Sequence, residues 1–224
     1  MKQFKRNQKG FTLVEIAIVL VIIGLLLGGV LKGQEMIESA RIKSVVGDLN
    51  GVSAAYNTYV DRFRAIPGDE APATLAARGW GAIPGGTANG VLAITLPQTF
   101  TNAGEQVVLW RSLRAAGMTA GDSTATGVAG LPRAATGGLI GVTVAAYGMP
   151  GTSVCVSALT TKQVSGIDTN IDGTLPATNI GNNLGTLRAE SNATNPLAPT
   201  AAAPAGLAYN ETTTVTPWTA CRPI

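Results

Sequence analysis

Gly10-Phe11-Thr12-Leu13-Val14-Glu15 joins a basic decapeptide to an apolar run that continues to Leu31, and everything downstream is read from this junction. The segment before it, 1–10, carries Lys2, Lys5, Arg6 and Lys9 and no acidic residue. Phe11 to Leu31 is 21 residues, about 32 Å as a helix, which matches the hydrocarbon thickness of a bilayer. A buried core helix fits neither this length nor the basic flank. A cleaved secretory signal wants small residues just past the run, and Gly28-Gly29 offers only a weak imitation with no Ala-x-Ala after it. Lys and Arg ahead of such a run orient it with the leader in the cytoplasm.

Glu15 separates the remaining readings. A carboxylate this deep in a membrane helix costs on the order of 2–3 kcal/mol even on lenient insertion scales. A plain anchor gains nothing from it, and a charge kept at that depth usually has a partner. Cleavage after Gly10 would give Phe11 a free ammonium about one helical turn from Glu15. In parallel, staggered subunits, one chain's ammonium meets a neighbour's carboxylate.

At these residues the chain resembles the type IV prepilins and the pseudopilins of type II secretion. The resemblance rests on the motif 10–15, the basic leader before it and the uncharged run 16–31 behind it. It implies cleavage between Gly10 and Phe11 by a prepilin peptidase, N-methylation of Phe11, and a Glu15 that recruits and registers each incoming subunit. It also implies an inner-membrane assembly platform as a partner, copies of the chain itself as the main partner, and no cofactor. One departure stands out: many type IV pilins carry a proline near the end of the apolar run, and here that region reads Leu27-Gly28-Gly29-Val30-Leu31-Lys32-Gly33. Glycine loosens a helix less forcibly than proline.

Past Lys32 the helical pattern continues. Val45, Leu49, Val52, Tyr56, Tyr59 and Phe63 recur at spacings of three and four, with Arg41, Lys43, Asp48, Asn50, Asp61 and Arg62 mostly off the stripe. The pattern stops at Ala65-Ile66-Pro67-Gly68-Asp69. The expected organisation is a leader at 1–10, a transmembrane half-helix at 11–31, an amphipathic half at 32–65 and a globular head at 66–224. The fold class is α+β and pilin-like: a long N-terminal helix packed on a small antiparallel sheet.

In the head, Val91–Leu96, Leu139–Tyr147, Val154–Val156 and Thr213–Trp218 are the strand candidates. A helix is expected over Glu105–Ala116, with Val108, Leu109, Leu113 and Ala116 on one face, Trp110 in the core and Gly117 ending it. Ile66-Pro-Gly-Asp69, Asn89-Gly90, Gly104-Glu105, Leu109-Trp110-Arg111 and Ala116-Gly117 together are similar to prepilin-like proteins with a longer head.

Cys155 and Cys221 are the two cysteines. In an exported head an even pair reads as a disulfide, worth about 4 kcal/mol for a loop of this length. The alternative is two buried thiols. The Pro/Ala-rich stretch 196–206 falls inside that ring, which resembles the disulfide-bounded variable region of pilin surfaces.

Composition narrows the function. There are no histidines, so the commonest general base and metal ligand are missing and a Ser-His-Asp triad is impossible. The net charge of +3 resides in the leader, since without it 12 basic residues face 13 acidic ones. A near-neutral head does not suggest nucleic acid, apart from a local patch around Arg111 and Arg114. Asp168-Thr-Asn170-Ile-Asp172-Gly173 resembles the start of a calcium loop. Its twelfth position is Asn179 rather than Glu, and Val164, Ile167 and Ile171 also fit a helix through it, with Asp172-Gly173 as the terminating turn.

The expected function is a structural subunit of a type IV pilus-like filament, not an enzyme. It would be held in the bacterial inner membrane as a precursor with its head in the periplasm, then assembled into a filament. The alternatives are a type II secretion pseudopilin, or a minor pilin acting as an adhesive or DNA-binding tip.

Overall fold

Two apolar patterns, one continuous and one striped, share a single helix because no breaker separates them. The computed structural model describes residues 12–173, 183–191, 193–194, 196–204, 209 and 217–224. Helix α1 (Leu13–Phe63) is 51 residues long and stays helical through Gly28, Gly29 and Gly33. The missing proline thus leaves an unbroken helix. The chain divides into two units, one up to Ala40 and one from Arg41 to Ile224. In the first, no side chain of residues 12–40 is buried.

In the second unit α1 behaves as an ordinary amphipathic helix. Ile42, Val45, Leu49, Val52, Ala55 and Tyr59 are buried, Tyr56 and Phe63 are half-buried, and Arg41, Lys43, Asn50, Asp61 and Arg62 are exposed. The expected stripe is therefore the buried one. The helix closes at Arg64, whose left-handed φ of 53° turns the chain before Pro67.

The sheet is antiparallel, with strand order β1-β2-β4-β3. Its strands are β1 (Ile140–Val144), β2 (Thr152–Leu159), β3 (Arg188–Ser191) and β4 (Trp218–Pro223). Alternation assigns the faces. Val154, Val156, Ala220 and Arg222 lie on the side of α1, because Arg222 donates to Asn50 Oδ1 at 2.7 Å. Ser153, Cys155, Thr219 and Cys221 lie on the other side, where Thr219 donates to the Leu197 carbonyl. A Cβ at Gly141 would come within 1.9 Å of the Thr99 carbonyl, so β1 needs glycine there.

Helices α2 (Pro72–Ala77), α3 (Glu105–Ala115) and α4 (Thr161–Ile171) complete the described elements longer than a single turn. Helix α3 buries Val108, Leu109, Trp110 and Leu113, as the spacing predicts. It ends where Gly117 takes a φ of 73° and Met118 N–H reaches the Leu113 carbonyl. Thr160 and Gln163 form a reciprocal capping box at the start of α4.

Two strand expectations need correction, and a third lies mostly outside the described residues. Val91–Leu96 forms no strand: Leu92 and Ile94 are buried in alternation, but side chains take its N–H groups. Val91 N–H donates to Asn89 Oδ1 and Ala93 N–H to Glu105 Oε2. The candidate over Leu139–Tyr147 stops at Val144, because Ala145 and Tyr147 adopt left-handed backbone. Residues 213–216 lie outside the described residues, and β4 occupies Trp218–Pro223. Val154–Val156 is the middle of β2. Strand β3, Arg-Ala-Glu-Ser, is a short polar edge strand without a hydrophobic alternation to announce it.

Candidate functional site

The first turn of α1 holds the residue on which the functional reading depends. Gly10 and Phe11 lie outside the described residues. Thr12 is the residue before the helix, and it pairs reciprocally with Glu15. Its N–H and hydroxyl donate to Glu15 Oε2, both at 2.8 Å, and its Oγ1 accepts from the Glu15 N–H at 3.2 Å. This is a capping box, and the signal Thr-x-x-Glu was present in the sequence. The carboxylate therefore has a local role in starting the helix as well as an exposed position on it. It also sits where the helix dipole favours an anion. Among the described residues, α1 is the one helix long and apolar enough to cross a membrane.

At the other end of α1, buried carboxylates organise the head. Gly68 has a φ of 104°, and a Cβ there would come within 2.7 Å of Leu92 Cδ1. This turn delivers Asp69 and Glu70 into the interior, where each is 5% exposed. Asp69 accepts from the N–H groups of Asn89 and Gly90 and from the Thr87 hydroxyl. Glu105 accepts from the N–H and hydroxyl of Thr87 and from Ala93 N–H. Asp69, Asn89, Gly90 and Glu105 of the second resemblance thus meet around one loop, 85–95. Glu70 accepts from Tyr59 and from Arg78, whose guanidinium stands 4.4 Å from the centre of the Phe63 ring. Burial, reinforced by Glu70, pushes the Tyr59 phenol above its ordinary range. Sequence reasoning missed this Tyr59–Glu70–Arg78 cluster, since no spacing links residues so far apart.

Arg111 and Arg114 do not form a free basic patch. Arg111 is buried and donates to the carbonyls of Ser123 and Ala82. Arg114 donates to the carbonyls of Ala120, Asp122 and Gly130. Both tie down the loop after α3.

The calcium candidates are not arranged as a loop. Asp168 and Asn170 lie within α4, and Asp172 is its C-terminal cap. Asp168 is buried, and Asn170 donates to the Gly166 carbonyl. Asp172 accepts from the Thr186 hydroxyl and the Leu187 N–H. Asn179 lies outside the described residues. The helix through Val164, Ile167 and Ile171 is what the structure shows, and its period turns Asn170 to the face opposite Asp168 and Asp172.

Cys155 and Cys221 form a disulfide. They are directly paired across β2 and β4, and both are fully buried.

Comparison with known proteins bears on the N-terminus. No curated protein matches the chain. Residues 5–31 match the family model of the prokaryotic N-terminal methylation motif. The matched residues contain the junction, Glu15 and the whole apolar run. The chain carries the N-terminal signature of the type IV prepilin and pseudopilin family.

Proposed function

We propose that the chain is a structural subunit of a type IV pilus-like filament. It is cut between Gly10 and Phe11 by a prepilin peptidase, methylated at Phe11, and polymerised with copies of itself through α1. Before assembly it sits in the bacterial inner membrane with its head in the periplasm. An inner-membrane platform then extracts it into the filament. The observation that carries this reading is the exposed Glu15 carboxylate in the first turn of a helix with no buried side chain up to residue 40. Such a surface demands a partner, lipid first and other subunits later. The disulfide supports an exported head, and it suits the oxidising periplasm as well as the cell surface.

Mass spectrometry of the mature N-terminus tests the processing step. The expected product begins at methylated Phe11; an intact leader, or a cut beyond Leu27, would overturn the reading. Shearing cells and identifying the main filament component then distinguishes a pilus from a periplasmic pseudopilus.

A further inference from the structure

The Pro- and Ala-rich stretch 196–204 lies inside the ring closed by Cys155 and Cys221, and it is bound to the sheet. Cross-strand partners share a face, so Arg188 stands beside Cys221 and Glu190 beside Thr219, on the side turned away from α1. Three hydrogen bonds hold the stretch to that face or to the turn beside it. The Thr219 hydroxyl donates to the Leu197 carbonyl at 2.9 Å. The Thr200 carbonyl accepts from the Tyr147 N–H at 2.7 Å. The Thr200 hydroxyl donates to Glu190 Oε2 at 3.2 Å. Ala203 closes on the turn after β1 so tightly that a Cβ at Gly148 would come within 3.2 Å of the Ala203 Cβ.

The composition suits this placement. Pro196, Pro199 and Pro204 carry no N–H, so the segment crosses a sheet face with fewer donors to satisfy, and Pro199 is buried. Tyr147, which receives it, is a fully buried aromatic with a left-handed φ of 51°, a costly conformation for a bulky residue. Its other bonds keep it there. The Tyr147 hydroxyl donates to the Thr219 carbonyl at 3.1 Å, and its carbonyl accepts from Arg188 at 2.7 Å. One strained residue thus ties 196–204 to both β3 and β4.

We infer that 196–204 is a strap that shuts the disulfide away from thiols, so that the bond is reduced only when the strap lifts. Exchange requires a thiolate to reach one of the two sulfurs, and both cysteines are fully buried. Their side chains project on the face that the strap crosses, since Val154, Val156 and Ala220 alternate with them toward α1. Entry is therefore from the strapped side. The strap lifts as a local opening while the sheet and core stay folded. This device belongs to the head alone and does not depend on the filament reading.

Reduction of the full-length, detergent-solubilised chain by dithiothreitol tests it. One dithiothreitol thiolate attacks a cysteine sulfur and expels the other cysteine as thiolate. The second dithiothreitol thiol then attacks the mixed disulfide, frees the remaining cysteine and leaves as the cyclic disulfide. Freed cysteines are counted by alkylation and mass. Thr219→Val cuts the strap's tie to β4 and should speed reduction about fivefold, the factor that one lost hydrogen bond allows. Tyr147→Phe loses a buried bond to β4 but keeps the N–H that holds Thr200. It should lower stability to a similar degree and leave the reduction rate unchanged. Urea gives a readout that needs no variant. Below the unfolding transition, the wild-type rate should rise with a slope well under that of global unfolding, because lifting a strap exposes little surface. Equal or greater acceleration by Tyr147→Phe, no acceleration by Thr219→Val, or a wild-type rate carrying the full unfolding slope from zero urea upward overturns the inference.

Discussion

The two stretches of α1 have similar helical content and opposite relations to the rest of the molecule. Up to residue 40 the helix covers none of its apolar side chains: Leu25 is 73% exposed. From Arg41 it buries a stripe so completely that Val45, Leu49 and Tyr59 have no exposed surface. Helix propensity does not distinguish them, for both contain glycine and β-branched residues. What differs is the arrangement of apolar residues, continuous in the first stretch and periodic in the second. A continuous apolar surface cannot be satisfied by one side of a small domain and calls for lipid or other chains. A periodic one is complete within a single chain.

The largest effect is expected at Glu15, where helix initiation and the proposed subunit registration share one side chain. Glu15→Gln keeps a residue able to close the capping box and removes the charge. It should leave membrane insertion unchanged and abolish filaments, measured by fractionation and shearing. Normal filaments from Glu15→Gln would mean that the residue serves only as a cap. Glu15→Ala removes both functions and should also fail to assemble.

Within the head, Cys155→Ser with Cys221→Ser should lower stability by about 4 kcal/mol in the chain-entropy description, read by denaturant titration of the solubilised chain. Core truncation sharpens the comparison of the two stretches directly. Leu49→Ala should cost about 3 kcal/mol through lost burial and a residual cavity. Leu25→Ala should not move the head's transition at all. Equal effects at both positions would refute the division. Glu105→Gln replaces a carboxylate that accepts from three donors with a group that has one acceptor oxygen. It should cost about 1–3 kcal/mol.

The smallest effect concerns Asp48. Partial burial raises its carboxyl above the ordinary carboxylate range, and the backbone N–H of Ala135 only partly opposes this. The folded state therefore favours the protonated form. Stability from this group is present below the unfolded pKa and is lost as pH rises through the folded one. Asp48→Asn should raise the melting midpoint slightly at neutral pH, by about half a kcal/mol or less. The gain should vanish in acid.

Much of this molecule was legible in residue order alone, where the signal is local and periodic. The stripe from Val45 to Phe63, the helix at Glu105 and its glycine stop each depend on neighbours within a few turns. The methylation motif is likewise contiguous. The sheet was less legible. Val91–Leu96 has the alternation of a strand, but its N–H groups are claimed by carboxylate and amide side chains from outside the segment. Strand β3 has the composition of a loop and becomes a strand only because β4 presents an open edge. The calcium motif had suitable oxygens at suitable intervals, yet the apolar residues between them imposed a helical period. At Glu15 the structure adds a capping role, whose signal is the threonine three residues before it.

The position of β4 bears on timing. Residues 218–223 fill the space between β2 and β3, so the last of the described strands to be synthesised completes the middle of the sheet. A chain crossing a membrane with its N-terminal helix held in the bilayer delivers β1 and β2 early and leaves β3 without a partner. Closure waits until Cys221 arrives opposite Cys155, and such sequence-distant pairing is intrinsically slow. Until then such a chain would be anchored with an unsealed edge. A quality check that sensed this open sheet would admit to assembly only molecules whose translocation had run past Pro223.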